Sequence, residues 1–226
     1  MSPLAAILQT VFPAHCACCG DVLVHGERQI CTRCLASLHA SHFSTMPDNP
    51  TERLLMGRIH IEAATSLYHF AAPNEVRRVV HAMKFHSNPE LCLLMGRLMG
   101  QDLLASSRFD GVDLLIPVPL HWLRQLRRGY NQSELLCRGI AEVMRRPLCT
   151  DAVVRHRYTH QQSLKPGHER RQNVDGAFRP RHTAQLAGKH ILLVDDVLTT
   201  GATLTACADA IAPFAAKVSV ATFAKA

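Results

Sequence analysis

The stretch that most limits what this chain can become is Ile191-Leu-Leu-Val-Asp195-Asp196-Val197-Leu198-Thr199-Thr200-Gly201-Ala202-Thr203. Ile191 to Val194 is a short unbroken apolar run, the pattern of a strand buried on both faces. It ends in two carboxylates, and a loop of Thr and Gly then opens a helix. Open α/β sheets bind their ligands at this place, the carboxyl end of a strand. Thr199, Thr200, Gly201, Ala202 and Thr203 offer backbone N–H groups and hydroxyls to an anion, and the helix that starts there adds the positive end of its dipole. Gly201 lets the backbone approach closely. Asp195 and Asp196 would repel a bare phosphate, but carboxylates accept hydrogen bonds from a diol. The ligand implied is therefore a phosphorylated sugar. No Lys follows the glycine, so this is not a Walker loop, and no G-x-G-x-x-G occurs. The plain alternative is an ordinary strand–turn–helix with a capping Thr.

The rest of the chain supplies a sheet around this strand. Ile59 to Phe70 has strand character, Leu114-Leu115-Ile116 reads as a second buried strand, and Val218 to Phe223 as a last one. Helices are expected from Pro73, with Val76, Val79, Val80 and Met83 on one face, and from Asn88-Pro89 to Leu104. Asn131 caps another that runs to about Arg145, and a further helix covers 202–212. Ser2-Pro3 opens a leading helix with Leu4, Ile7, Leu8 and Val11, which Pro13 ends. Strands alternating with helices predict an α/β domain with a mostly parallel sheet. The expected division is 1–38, 39–58 as a polar, turn-rich linker (Met46-Pro47-Asp48-Asn49-Pro50), and 59–226. Apolar residues at 47% exclude disorder over the whole chain. No apolar run approaches the ~20 residues needed to span a bilayer. Met1 to Phe12 is apolar but has no basic start, so a cytoplasmic location is expected.

Charge is unevenly placed. Residues 120–182 hold thirteen Lys and Arg against five Asp and Glu, and twelve of the thirteen are Arg; the remainder is nearly balanced. Guanidinium forks match phosphate oxygens bidentately, so the stretch reads as built to meet phosphate, with a solubilising surface as the alternative. Residues 156–176 within it are polar, basic and aperiodic, a long loop of the kind that usually has a task. Lys84, after an amphipathic helix, could add charge to such a site, with a snorkelling surface residue as the plainer reading.

The cysteines divide in two. Four are scattered singly, as small core hydrophobes are. Cys16-x2-Cys19 and Cys31-x2-Cys34 form two knuckles that point four thiolates at one centre, the donor set of a structural Zn2+. Cys18 offers another register, but Cys16 with Cys19 fits the spacing, so Cys18 is left out. Such a short segment cannot bury its own core, and metal binding would supply most of its folding energy.

The 191–203 segment resembles the PRPP-binding motif of type I phosphoribosyltransferases. The resemblance widens with Ile116-Pro-Val-Pro-Leu-His121, Arg127-Arg-Gly-Tyr-Asn-Gln132, Gln162 with Leu164, Arg170 through Asn173-Val174, and Gly176-Ala-Phe178. Taken together these are similar to the ComF family, whose members join a zinc ribbon to a phosphoribosyltransferase domain and are associated with DNA uptake in natural competence; GntX-type proteins are similar. The resemblance implies a type I phosphoribosyltransferase fold with a small N-terminal zinc ribbon. It implies that Asp195 and Asp196 hold the ribose hydroxyls of PRPP and that the loop at 199–203 holds the 5′-phosphate. Arg124, Arg127 and Arg128 then form a pyrophosphate loop, working with Mg2+. Residues 156–176 correspond to a hood loop from which Arg170 or Arg171 would reach pyrophosphate. His121 and His168 lie in these loops and are the histidines worth testing. In purine-salvage members the third residue after the acidic pair is an Asp near the base; here it is Thr199, which speaks against purine salvage.

Three readings stay open at this point. The first is a ComF-type protein binding PRPP-Mg or the backbone of single-stranded DNA, with the DNA-uptake machinery as partner. The second is an active phosphoribosyltransferase with an unidentified nitrogen acceptor. The third is a PRPP sensor without catalysis.

Overall fold

A computed structural model describes residues 13–70, 75–85, 88–156 and 176–226. Its centre is a four-stranded, all-parallel sheet built from β1 (Ala64–His69), β2 (Leu114–Pro117), β5 (His190–Leu198) and β6 (Lys217–Lys225), in the order β1-β6-β5-β2. β3 (Val153–Arg155) and β4 (Phe178–Pro180) form a separate antiparallel ribbon. The fold is α/β with a mostly parallel sheet flanked by helices, as expected.

β5 shows why the sheet needs cover on both faces. Leu192 and Val194 face one apolar cluster and Ile191 and Leu193 the other, and all four are fully buried. The first cluster is closed by α3 (Glu75–Phe85), α4 (Pro89–Leu104) and α6 (Gln132–Met144). The second is closed by α8 (Ala202–Ile211), by the ribbon and by Leu55. α4 and α6 touch backbone to backbone through Gly96 and Gly139: a Cβ on Gly139 would overlap the Leu93 carbonyl oxygen and lie 2.7 Å from the Arg97 nitrogen.

β5 runs further than the apolar run at 191–194. It continues through Asp195 and Asp196 to Leu198 because β6 keeps pairing with it, Val197 with Ala224 and Leu198 with Lys225. The acidic pair therefore sits inside the strand's last turns.

The stretch at 39–58 is more ordered than a turn-rich composition suggests. After α1 (Thr32–Ser37), a short 3-10 turn (Phe43–Thr45) leads into α2 (Pro50–Leu55). Asn49 is fully buried and accepts from the N–H groups of Thr51 (2.9 Å) and Glu52 (3.1 Å), while its Nδ2 donates to the carbonyls of Phe43, Met46 and Ala64. Asn followed by Pro serves a turn and a helix start equally well; here it is cap and first residue. The Arg-bearing segment after β2 is likewise helical, α5 (Trp122–Arg128), capped by His121 and stopped by Gly129 at φ +80°. A second 3-10 turn (Ser107–Phe109) and α7 (Thr183–Leu186) complete the described elements. The expected helix at 2–11, Pro73, and the residues at 162–174, including His168, Arg170 and Arg171, lie outside the described residues. No described helix is long and apolar enough to cross a membrane.

Candidate functional site

The ends of β2 and β5 and the starts of α6 and α8 converge on a cleft of about 160 Å³. Its construction begins at the loop after β2. Val118 donates its N–H to Val194 (2.9 Å), which keeps this loop beside β5. Asn131 then donates from Nδ2 to the Val118 carbonyl (3.1 Å) and accepts from the Ser133 N–H (3.1 Å). One side chain thus caps α6 and pins its first turn to the strand end. The result is that the Ser133 hydroxyl donates to Asp195 Oδ1 at 2.8 Å, where the Asp196 N–H also donates (2.9 Å). Burial, with the charge of Asp196 beside it, pushes the Asp195 carboxyl up to about 7, against the opposing pull of the Ser133 hydroxyl.

The loop that follows is held from behind. Gly201 stands at the N-cap of α8 with φ +79°, a conformation L side chains rarely adopt, and contributes no side-chain cap. A Cβ there would meet Leu54 and Leu55 at 3.0 Å. The Arg58 guanidinium donates to the Thr200 carbonyl oxygen. Within the loop the Ala202 N–H donates to the Thr200 hydroxyl at 3.5 Å. Asp195 and Thr199 to Thr203 line a smaller recess of about 30 Å³, and Asp195, Asp196, Thr199 and Thr203 line the main cleft. The acidic pair and the Thr/Gly loop picked out from sequence are therefore neighbours in space.

The arginines are divided. Arg128 lines the cleft, donates to Gln132 Oε1 (2.8 Å) and lies 5.7 Å over the Phe85 ring. Arg124 and Arg127 belong to α5, with their side chains outside the described set. His121 is buried and accepts from the Leu123 N–H through Nδ1 (3.3 Å), the work of a helix cap. Arg155 was not singled out from sequence. It stands on β3, 5.3 Å over the Phe178 ring, and lines the cleft. Its only sequence signal was membership of the basic stretch. Arg58 was missed because 39–58 read as linker.

Lys84 adds its charge to the cleft and is not the surface residue that the plainer reading of the sequence expects. Its side chain is 19% exposed and does not snorkel to the surface; Nζ pairs with Asp196 Oδ2 at 3.0 Å, and Asp196 is itself 14% exposed. The helical pattern of α3 shows that Lys84 follows Met83 but not that the end of α3 meets β5.

The cysteine cluster forms as spaced. The sulfurs of Cys16, Cys19, Cys31 and Cys34 all lie within 4.8 Å of one another. Cys19 and Cys31 are 3.8 Å apart, close to the sulfur–sulfur spacing of a tetrahedron with metal–sulfur bonds of ~2.3 Å. Cys18 is not in the group; its thiol faces the Glu75 carbonyl (3.9 Å) at the start of α3. Burial raises the Cys16 thiol, but the N–H groups of Cys19, Cys31 and Cys18 outweigh it and bring it down to about 6. Burial and the neighbouring thiols push Cys34 upward. One thiol is poised to ionise, and further ionisation calls for a cation among the sulfurs. The cluster could hold a metal such as zinc.

Residues 131–226 match the phosphoribosyl transferase domain family. The chain is 30% identical over 181 residues to DNA utilization protein YhgH of Escherichia coli, covering 79% of this chain and 75% of that protein. It is 31% identical over 192 residues to the Salmonella typhimurium protein of the same name, covering 84% and 80%. The chain belongs to the ComF-type family of phosphoribosyltransferase-domain proteins. Competence protein F of Haemophilus influenzae is 39% identical over 93 residues, 41% of each chain. Glutamine PRPP amidotransferase from B. subtilis, a solved structure, is similar at 17% identity with a TM-score of 0.43, over 64% of this chain and 30% of that one. Within this ComF-type chain the domain match begins at Asn131 and takes in the acidic pair and the Thr/Gly loop, while Lys84 and the cysteine cluster stand before it.

Proposed function

We propose that this chain binds PRPP with Mg2+ and serves DNA uptake or processing in competence, from the cytoplasm. The observation that carries the reading is the joining of Asp195, Asp196 and the Thr199–Thr203 loop in one cleft. Asp195 and Asp196 accept hydrogen bonds from the ribose diol. The loop's N–H groups and the Thr199, Thr200 and Thr203 hydroxyls take the 5′-phosphate at the N-terminal end of α8. Arg128 and Arg155 line the cleft and offer guanidinium groups to the diphosphate with its Mg2+, and Arg124, Arg127 and Arg170 are further candidates. Residues 59–226 make up this unit and 1–38 a structural zinc ribbon, with 39–58 between them. The names of the relatives point to DNA, and the Arg-rich stretch at 120–182 suits single-stranded DNA as partner.

Calorimetry with PRPP and Mg2+ tests the reading. Saturable binding at a 1:1 ratio is expected, together with salt-sensitive binding of a single-stranded oligonucleotide. No heat with PRPP overturns the sugar-phosphate assignment. Pyrophosphate release in the presence of a nitrogen nucleophile would move the chain to the catalytic reading, which the relatives' names do not favour.

A further inference from the structure

Lys84 is held in place from two sides. It is the penultimate residue of α3, and the carbonyl of fully buried Met83 before it accepts from Tyr130 Oη (2.7 Å) and Gln132 Nε2 (3.3 Å). The same short segment, 130–133, seats Ser133 on Asp195. The end of α3 and the start of α6 are thus locked together, and the lock sets the Lys84 ammonium 3.0 Å from Asp196. Exposed Lys–carboxylate pairs are loose and screened, but one lodged in a cleft fixes the charge that a ligand meets.

Adjacent carboxylates in a polar cleft are also the donors that hard divalent cations take, through oxygen ligands at about 2.0–2.6 Å. Left alone, Asp195 and Asp196 would suit a bare metal ion and would repel the phosphates of a sugar. The Lys84 ammonium answers both problems at once. It engages Asp196 Oδ2, which a metal held by the pair would need, and it cancels one negative charge while leaving Asp196 Oδ1 and Asp195 Oδ2 to accept from a diol.

We propose that Lys84 is the specificity-determining residue of the cleft: it bars a bare divalent cation from the acidic pair and so keeps that pair for the hydroxyls of an anionic sugar. The half concerning the sugar rests on the function proposed above; the half concerning the cation does not. Titration with Mn2+ alone, followed by electron paramagnetic resonance on the ligand-free full chain, tests the cation half. Lys84→Met is expected to gain one Mn2+ site, at least tenfold tighter than anything in the wild type at this cleft. Lys84→Arg, which keeps the charge, and the double variant Lys84→Met with Asp196→Asn are expected to lack it. Lys84→Gln serves as a second neutral variant should Lys84→Met fold poorly. A folded neutral variant with no added Mn2+ site overturns the proposal, as does a wild type that binds Mn2+ equally well. Calorimetry with PRPP at fixed Mg2+ tests the other half. A loss of at least tenfold in Lys84→Met, recovered in Lys84→Arg, is expected, and unchanged affinity overturns that half. Should the wild type itself not bind PRPP, the sugar-phosphate reading fails while the Mn2+ result still decides the role of Lys84.

Discussion

The cysteine cluster and the cleft at the end of β5 are built by opposite routes. All four sulfurs of the first come from residues 16–34, and two-residue spacings do most of the aiming. The second draws Lys84 from α3, Ser133 from α6, Arg155 from β3 and the acidic pair from β5, and it is braced by Arg58 from behind. A turn of fixed span sets one geometry within a few bonds. The other depends on where a sheet and several helices come to rest. Damage should therefore stay local at the cluster and travel a long way at the cleft.

Loss of a metal ligand gives the largest effect and the sharpest test of that contrast. Cys31→Ser is expected to lose about one zinc per chain by elemental analysis and, with it, protection from hydrogen exchange over residues 14–38. β5 and β6 should stay protected. If they open too, the cluster is not a local structure, and its packing against the α3 side of the core counts for more than its spacing.

Next comes the cleft itself. Asp195→Asn with Asp196→Asn is expected to abolish PRPP binding in calorimetry while circular dichroism and metal content stay as in the wild type. Retained affinity would remove the acidic pair from the site.

A change far from any ligand then probes the long reach of the cleft. Gly139→Ala drives a methyl group into the backbone of α4 and should cost about 3 kcal/mol in denaturant unfolding. Because α6 also carries Ser133, PRPP affinity should fall as well, with zinc content unchanged. Stability lost without any loss of affinity would show that the start of α6 is insulated from its middle.

The smallest effect is one of pH. Burial and the Asp196 charge raise the folded Asp195 carboxyl to about 7 from an ordinary 3.8, so between those values the folded chain is expected to hold more protons than the unfolded one. Stability from this group falls as pH rises through that window, by at most about 1.4 kcal/mol per unit, and levels off above it. Asp195→Asn should flatten this part of the profile and gain on the wild type toward pH 8. An unchanged profile would mean that water in the cleft reaches the half-buried Asp195 carboxylate and offsets its desolvation.

Much of this was legible from local pattern. The knuckles, the buried runs at 114–116 and 191–194, the Asn88 and Asn131 caps and the Thr/Gly turn each depend on neighbours in the chain, so period and residue type suffice to read them. The extension of β5 to Leu198 was not legible, because pairing with β6 and not apolarity carries it. The order at 39–58 was hidden because Asn49-Pro50 is equally a turn and a helix start, and only the buried acceptors around Asn49 decide between them. Arg58 and Arg155 escaped, and Lys84 stayed undecided, for one shared reason. A lone basic residue has no periodic signature, and its role depends on what the fold brings opposite it.

By itself, then, the order of residues determined which backbone segments could become strand, helix, knuckle or anion-binding turn, since those choices are settled by dihedral preference, capping and the burial period over a few residues. Only the tertiary structure decided the charge of the cleft. Whether Asp196 faces water, a metal ion or the Lys84 ammonium depends on α3 ending beside β5, a contact across 112 positions of chain that no local preference encodes.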